Sequence, residues 1–123
     1  MSTFTSTNGR IDTREEVAEG TPYSLDCAFT DEDEVAYTPA SVISMKVYDS
    51  AGDLKETHAD IAAASTIEVT TAAATNAVAA GLLQRIILLE WTAITTRFAA
   101  PGVPQKCEIH YSIKDLATVP APT

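Results

Sequence analysis

The sequence is poor in basic residues, and this shortage excludes one large class of partners. Only eight lysines and arginines stand against 17 aspartates and glutamates, which gives a net charge of −9. The excess negative charge lies in the first half, because residues 1–60 hold 13 acidic and four basic residues whereas residues 61–123 hold four of each. Direct binding to nucleic acid needs clustered lysine and arginine and is not expected. A basic protein partner fits this charge better.

Long hydrophobic runs are missing as well. A helix that crosses a bilayer needs about 20 apolar residues, and the longest apolar run is interrupted by Gln84, Arg85 and Glu90. Residues 1–7 are polar and lack the basic and then apolar pattern of a secretion signal. We therefore expect no membrane contact and synthesis in a cytoplasm.

The motifs of known catalytic centres are also absent. The sequence contains no Gly-x-Ser-x-Gly, His-Glu-x-x-His, phosphate-binding loop or Gly-x-Gly-x-x-Gly pattern. Its two histidines, His58 and His110, stand beside carboxylates, but such neighbours on strands are more often solvated surface groups than a catalytic pair. We predict no catalytic residues, no cofactor and no enzymatic activity.

Two groups of residues raise the question of a metal or a disulfide. Residues 31–34, with Asp49 and Asp53, could offer oxygen ligands to Ca²⁺. Consecutive carboxylates on an extended loop point in different directions, so a solvated loop is favoured and no metal site is predicted. Cys27 and Cys107 occupy inward-facing positions of predicted strands. Two buried thiols are favoured because a cytoplasm is reducing, and a disulfide between sheets stays an alternative.

Alternation of polar and apolar residues predicts a protein built almost entirely from strands. Four segments place apolar side chains at every second position, the pattern of a half-buried strand: 23–30, 42–48, 66–70 and 106–114. A weaker return strand follows a turn at 49–53. Short strands at regular spacing predict an all-β, immunoglobulin-like antiparallel β-sandwich. The alanine-rich residues 72–80 predict a short helical insertion that Gly81 ends.

Residues 82–94 are informative because both faces of this segment are apolar. Their β-branched and aromatic residues favour a long strand over a helix. One face joins the core, and the other carries four large aliphatic side chains: Leu82, Ile86, Leu88 and Ile94. Each gains about 1.5–3 kcal/mol on leaving water, so the four need cover, either from residues 72–80 or from another chain. We take them as a candidate interface.

The two ends of the chain are expected to lie outside the sandwich domain, which spans residues 20–116. Residues 1–19 are rich in serine, threonine and charge, and predict an N-terminal arm with a short edge strand at 12–17. Residues 117–123 form a proline-rich tail that cannot enter a sheet interior. Ends of this composition often become ordered only on docking to a partner.

Several short runs between residues 17 and 116 carry a family resemblance. They are Gly20-Thr21-Pro22-Tyr23, Leu25-Asp26, Phe29-Thr30-Asp31, Ser41-Val42, Met45-Lys46-Val47-Tyr48-Asp49, Ser65-Thr66-Ile67-Glu68-Val69-Thr70, Ala74-Thr75-Asn76-Ala77 and Glu108-x-x-Tyr111. The set resembles small immunoglobulin-like structural proteins of tailed-bacteriophage virions. The resemblance carries no defined site residues to this chain.

The resemblance implies a non-enzymatic virion protein, such as a capsid decoration or cement protein or a component of the head–tail neck, collar or baseplate. Its partners would be capsid, portal, neck or tail proteins, or further copies of itself, in an oligomer or a docked assembly. A sugar- or receptor-binding β-sandwich module, assisted by Ca²⁺, is the alternative.

Overall fold

The structure, a computed structural model, describes residues 2–6, 9–31, 33–77, 84–94 and 102–114. Within these ranges the chain forms eight strands and one short helical turn. The strands are β1 (Ser2–Ser6), β2 (Gly9–Ala18), β3 (Tyr23–Phe29), β4 (Ile43–Asp49), β5 (Leu54–Ile61), β6 (Thr66–Thr71), β7 (Gln84–Ala93) and β8 (Val103–Lys114). The predicted all-β class is confirmed. No helix in the described ranges is long and apolar enough to span a membrane.

The strands form two sheets. The smaller sheet has three strands in the order β1-β3-β6, and the larger has five in the order β2-β8-β7-β4-β5. The pairs β3–β6, β4–β5, β4–β7 and β7–β8 are antiparallel, whereas β1 joins β3 and β2 joins β8 in parallel. The strands β2 and β5 therefore form the two edges of the larger sheet.

The inner faces of the two sheets pack together around one apolar core. The rings of Phe29 on β3 and Trp91 on β7 lie 4.9 Å apart between centroids, and those of Tyr23 and Tyr111 lie 4.4 Å apart. Buried and half-buried residues alternate strictly along β3 and β4, as the period of two in the sequence predicts. The inward positions predicted on these strands are buried: Tyr23, Leu25, Cys27, Phe29, Ile43, Met45 and Val47.

The N-terminal segment differs from the arm that its composition suggests. Residues 2–6 and 9–18 form β1 and β2, so each sheet gains a strand from a segment expected to carry only a short edge strand at 12–17. Edge pairing uses backbone hydrogen bonds and needs only a few inward anchors. Val17 is buried, Ile11 packs against the core, and the Thr13 hydroxyl donates to the carbonyl of His110 at 2.9 Å.

The helical insertion expected near 72–80 is represented by a single 3-10 turn at Ala73–Asn76, and residues 78–80 lie outside the described ranges. A buried polar network holds this turn at one end of the core. The Arg85 guanidinium, on the inner face of β7, donates to the carbonyls of Thr75 at 2.8 Å and Ala77 at 2.9 Å. The Tyr111 hydroxyl donates to Asn76 Oδ1 at 2.5 Å, and burial raises the pKa of Tyr111 to about 12. The turn therefore contacts the inner side of β7.

Candidate interaction surface

Strand β7 has two different faces. Its inner side chains are all buried: Arg85, Ile87, Leu89, Trp91 and Ala93. Its outer side chains all keep contact with solvent: Gln84, Ile86, Leu88, Glu90 and Thr92. Because the inner row already fills the core, Ile86 and Leu88 add apolar surface to the outside of the larger sheet.

The register of the sheet decides what surrounds these two residues. Ile86 lies between Tyr48 on β4 and His110 on β8, and Tyr48 in turn lies beside Leu54 on the edge strand β5. Directly opposed side chains in such a ladder have Cβ atoms about 4.5–5.5 Å apart, close enough to contact. Ile86 and Leu88 are half-buried by these neighbours, whereas Leu54 is 52% exposed. We call Tyr48, Leu54, Ile86 and Leu88 the outer patch.

An open groove of about 340 Å³ lies within the outer patch. Its lining residues are Tyr48, Asp49, Ser50, Gly52, Ile86, Leu88, Lys106 and Glu108. Apolar side chains from β4 and β7 thus border charged side chains from β8. A groove of this size and composition can receive one or two apolar side chains of a partner, with charged groups at its rim.

Charges of both signs surround the outer patch. Leu88 lies between Lys46 on β4 and Glu108 on β8, and Glu90 lies opposite Lys106. His110 Nε2 is 3.2 Å from Glu108 Oε1. These four lysine and glutamate charges sum to zero, although the chain as a whole carries −9. The surface around the patch is therefore much less acidic than the rest of the molecule.

The four candidate interface residues do not form one cluster. Ile86 and Leu88 lie together, and Leu82 falls outside the described residues. Ile94, 42% exposed, follows the end of β7 and is separated from Leu88 by Glu90 and Thr92. It lies beside Gly102, where a Cβ would come within 2.8 Å of the Ala93 carbonyl oxygen and 2.9 Å of Ile94 Cγ1. The φ of Gly102, +94°, independently favours glycine there.

Sequence reasoning missed Tyr48 and Leu54 as members of the patch. Alternation places Tyr48 on the outward side of its strand, but only the pairing of β4 with β7 places it beside Ile86. A β-bulge between Val47 and Tyr48 aligns Leu54 with Tyr48. A single large apolar residue at the start of a polar strand gives no signal of its own in the sequence.

The histidines lie in different surroundings. His58 Nε2 is 2.5 Å from Glu56 Oε2, and Glu56 Oε1 also accepts from the Ala72 backbone N–H at 2.9 Å and the Thr75 hydroxyl at 2.6 Å. Burial alone would raise the pKa of Glu56, but these hydrogen bonds outweigh it and lower the pKa below its usual value. Glu56 therefore anchors the 3-10 turn to β5, which is a structural task.

The acidic loop forms hydrogen bonds within itself. Asp31 Oδ1 accepts from the backbone N–H groups of Asp33 at 2.9 Å and Val35 at 3.0 Å. Asp49 Oδ1 closes the next turn in the same way, by accepting from Ala51 and Asp53, and these bonds lower the pKa of Asp49. Across the described ranges, no three histidine, cysteine, aspartate or glutamate side chains gather as metal ligands would.

The cysteines and the tryptophan belong to the interior. Cys27 and Cys107 are fully buried thiols. Burial raises the pKa of Cys107 to about 12, with smaller contributions from Cys27 and Glu108, so its thiol stays protonated near neutral pH. Trp91 is 4% exposed and its indole N–H donates to the Tyr37 hydroxyl at 2.8 Å. Trp91 therefore does not form the exposed aromatic platform that sugar binding would favour.

Comparison with known proteins gives no relative. No family model matches the sequence, and no curated protein or solved structure matches it either. The chain's own residues must therefore support any assignment of function.

Proposed function

We propose that this chain is a non-enzymatic structural protein of a tailed-phage virion. It docks through the outer face of its five-stranded sheet, as a capsid decoration or cement protein or as part of the head–tail neck or collar. The outer patch carries the docking role, because it exposes apolar side chains on a sheet whose inner face already fills the core. Each large side chain buried against a partner gains about 1.5–3 kcal/mol. The sequence resemblance supports the placement in a virion.

We also propose an immunoglobulin-like fold, which the strand order supports. The order β8-β7-β4-β5 corresponds to strands G-F-C-C′ of a variable-type domain, and the β3–β6 pair corresponds to B–E. The hallmark side chains are placed differently. Cys107 lies on β8 instead of the F-type strand β7, and Trp91 lies on β7 instead of the C-type strand β4. The strand order therefore supports the proposed immunoglobulin-like fold, and these side chains do not.

The virion placement is tested on particles. Tailed particles purified from the source of this sequence should contain the chain in fixed stoichiometry by mass spectrometry, and capsid, portal or tail genes should flank its gene. Absence of the chain from the particles, together with neighbouring genes of other functions, would refute the virion role.

The docking face is tested by the double substitution Ile86→Asp and Leu88→Asp. Two buried, unpaired carboxylates should abolish incorporation into the assembly, while far-UV circular dichroism stays of the β type. Thr66→Asp with Thr70→Asp is the matched control, because it adds the same charge to exposed positions of β6 on the other sheet. Normal incorporation of the Ile86/Leu88 variant would show that this face is not the docking surface.

A further inference from the structure

We propose that the outer edge of β6, in the smaller sheet, receives one further strand from a partner protein, and that this strand carries a basic residue at its centre. The edge is separate from the outer patch, so the proposal goes beyond the docking role assigned above. A sheet that leaves β5 uncovered, an unprotected edge and an acidic pair beside that edge support it.

The smaller sheet stops before it covers β5. Ring contacts place β3 opposite β7 and β8. Glu56 on β5 accepts from the backbone N–H of Ala72, directly after β6, so β6 lies on the β5 side of β3. Since β6 is one strand away from β3, it lies opposite β7 and β4. Among the described strands of the smaller sheet none lies beyond β6, and β5 has no strand opposite it.

The exposure of β5 shows the same gap. Val47 and Met45 on β4 are buried against the core. Their register partners on β5 are Glu56, which is half-buried, and His58, which is exposed. His58 Nε2 lies 2.5 Å from Glu56 Oε2, so both groups would keep a hydrogen-bond partner under a covering strand. A strand beside β6 would therefore cover β5 without burying an unpaired polar group.

The edge of β6 lacks the features that block strand addition. Over Thr66–Thr71 it pairs with β3 without a β-bulge, and it contains neither lysine nor proline. In the larger sheet, β2 has a register shift between Asp12 and Glu16, and β5 has two shifts and carries Lys55. Charged residues and bulges of this kind protect edges from pairing with another chain.

The other edge of the smaller sheet, β1, is a poorer site. It also lacks charge and bulges, but it lies on the opposite side of β3 from β6. A strand beyond β1 would extend past β2, the last described strand of the larger sheet on that side, and would have no sheet to pack against. The position beside β6 is therefore the one at which an added strand is both paired and packed.

The charge beside this edge defines the partner. Glu68 is an exposed, outward residue in the middle of β6, and Asp26 on β3 lies directly opposite it. A lysine or arginine on the added strand, in register with Glu68, would have its Cβ about 4.5–5.5 Å from the Cβ of Glu68. It would offset the repulsion between the two carboxylates.

The inner row of β6 defines the residues on either side of the basic one. Ile67 and Val69 are buried, so the added strand would place β-branched apolar residues beside them. The partner segment therefore has an apolar, basic, apolar pattern. In this chain that pattern occurs only at residues 45–47, inside β4, which already pairs on both sides. A different protein, and not a second copy, supplies the strand.

Peptide binding tests the edge. The probe is Val-Thr-Val-Lys-Val-Thr-Val with acetylated and amidated ends, which reads the same in both directions and so pairs in either orientation. In NMR-detected hydrogen exchange, alternate amides of β6 should exchange rapidly in the free chain and slow when the peptide binds, because every second N–H of an edge strand points away from its sheet. A matched peptide with glutamate in place of lysine should bind roughly three- to tenfold more weakly.

Backbone methylation of the peptide distinguishes strand pairing from simple charge attraction. N-methyl groups on the residues whose N–H groups point toward β6 remove the pairing hydrogen bonds, whereas N-methyl groups on the alternate residues leave them intact. Of two peptides methylated at alternate positions, one should lose binding and the other should keep it.

Variants of the chain locate the site. Glu68→Lys should reverse the preference, so that the glutamate-centred peptide binds more tightly than the lysine-centred one. Glu108→Lys is the matched control, because it makes the same charge change on the larger sheet and should leave the preference unchanged. The variant with Ile86→Asp and Leu88→Asp should still bind the peptide, since the edge is separate from the outer patch. Circular dichroism confirms that each variant is folded.

Several outcomes would overturn the proposal. They are slow exchange of all β6 amides in the free chain, no peptide binding up to about 1 mM, equal binding of the lysine and glutamate peptides, or the same effect from both methylated peptides. None of these would affect the virion role, which is tested on particles. Absence of the chain from particles, with peptide binding intact, would refute the virion role and leave the edge site standing.

Discussion

The outer face of the larger sheet differs in chemical character from the outer face of β3 and β6 in the smaller sheet. The smaller sheet presents small polar and acidic groups: the Ser24 and Thr70 hydroxyl oxygens lie 2.8 Å apart, and Asp26 lies opposite Glu68. The larger sheet presents the outer patch at its centre. Of the outward side chains described on β3 and β6, only Ala28 is apolar, so these strands close the same core without large apolar residues outside. The apolar outer patch is therefore consistent with the proposed docking role and is not required by the core.

The acidic face has a physical role in this contrast. Two carboxylates directly opposite each other on a ladder destabilise the pair slightly. Bringing that face against another acidic molecule would strengthen the repulsion, because water would no longer screen it. Under the proposed docking role, the outer face of the smaller sheet would therefore face solvent and that of the larger sheet would face the partner.

The largest effect expected comes from comparing Leu89→Ala with Leu88→Ala, adjacent residues of the same type on β7. Leu89 is fully buried, so its truncation should lower the free energy of unfolding by about 2–5 kcal/mol. Leu88 is half-buried on the outside, and its truncation should cost about 1 kcal/mol or less. Urea unfolding measures both. Equal losses would mean that the outer patch belongs to the folding core, and the contrast between the two outer faces would fail.

An intermediate loss in the free energy of unfolding is expected from Glu56→Ala. Glu56 lies on the larger sheet but stabilises the folded chain instead of forming part of the outer patch. Removing its carboxylate leaves the Ala72 N–H and the Thr75 hydroxyl without their acceptor and should cost about 1–3 kcal/mol. The hydrogen bonds hold the pKa of Glu56 in the folded protein below its value in the unfolded chain, which is about 4.3. The stabilisation is therefore present at pH values above about 4.3, and it is lost as the pH falls through the pKa of the folded protein.

The difference in unfolding free energy between wild type and Glu56→Ala should accordingly be constant from neutral pH down to about pH 5 and shrink in more acidic solution. Chemical unfolding at a series of pH values measures it. A difference that grows on acidification would contradict the assigned role of the carboxylate.

The smallest change in unfolding free energy is expected from Glu68→Lys. This variant tests the acidic outer face of the smaller sheet. It replaces a like-charge pair with Asp26 by an opposite-charge pair and should raise the unfolding free energy by about 0.2–1 kcal/mol. The gain should fall at high salt, since both groups are near the surface. A loss of stability at low salt would show that the two carboxylates do not repel each other in the folded protein.

The sequence predicted well which side chains of the strands face the core. The inward rows of β3, β4 and β8, including both cysteines, follow from a period of two, because one face of each strand contacts the core and the other contacts solvent. Alternation even places Arg85 on the inner face of β7. The sequence could not predict that Arg85 donates to the carbonyls of Thr75 and Ala77. Every residue has a backbone carbonyl, so no particular residue type marks the acceptor.

The N-terminal strands show where the pattern fails. In β2 the inward anchors Ile11 and Val17 are six residues apart, with a break in register between Asp12 and Glu16, so no regular alternation marks the strand. Its pairing with β8 is between residues about 100 positions apart in the chain. Pairing of that kind depends on backbone hydrogen bonds, which any non-proline sequence can offer.

The sequence by itself determined the fold class, the inward rows of the strands and the presence of surplus apolar residues on β7, because these follow from the period of two along one chain. Only the tertiary structure decided that Tyr48 and Leu54 join Ile86 and Leu88, that Lys46 and Glu108 flank the patch, and that residues 73–76 pack inside and not over it. These contacts depend on strand order and register, which are set by the packing of distant segments and leave no local signal.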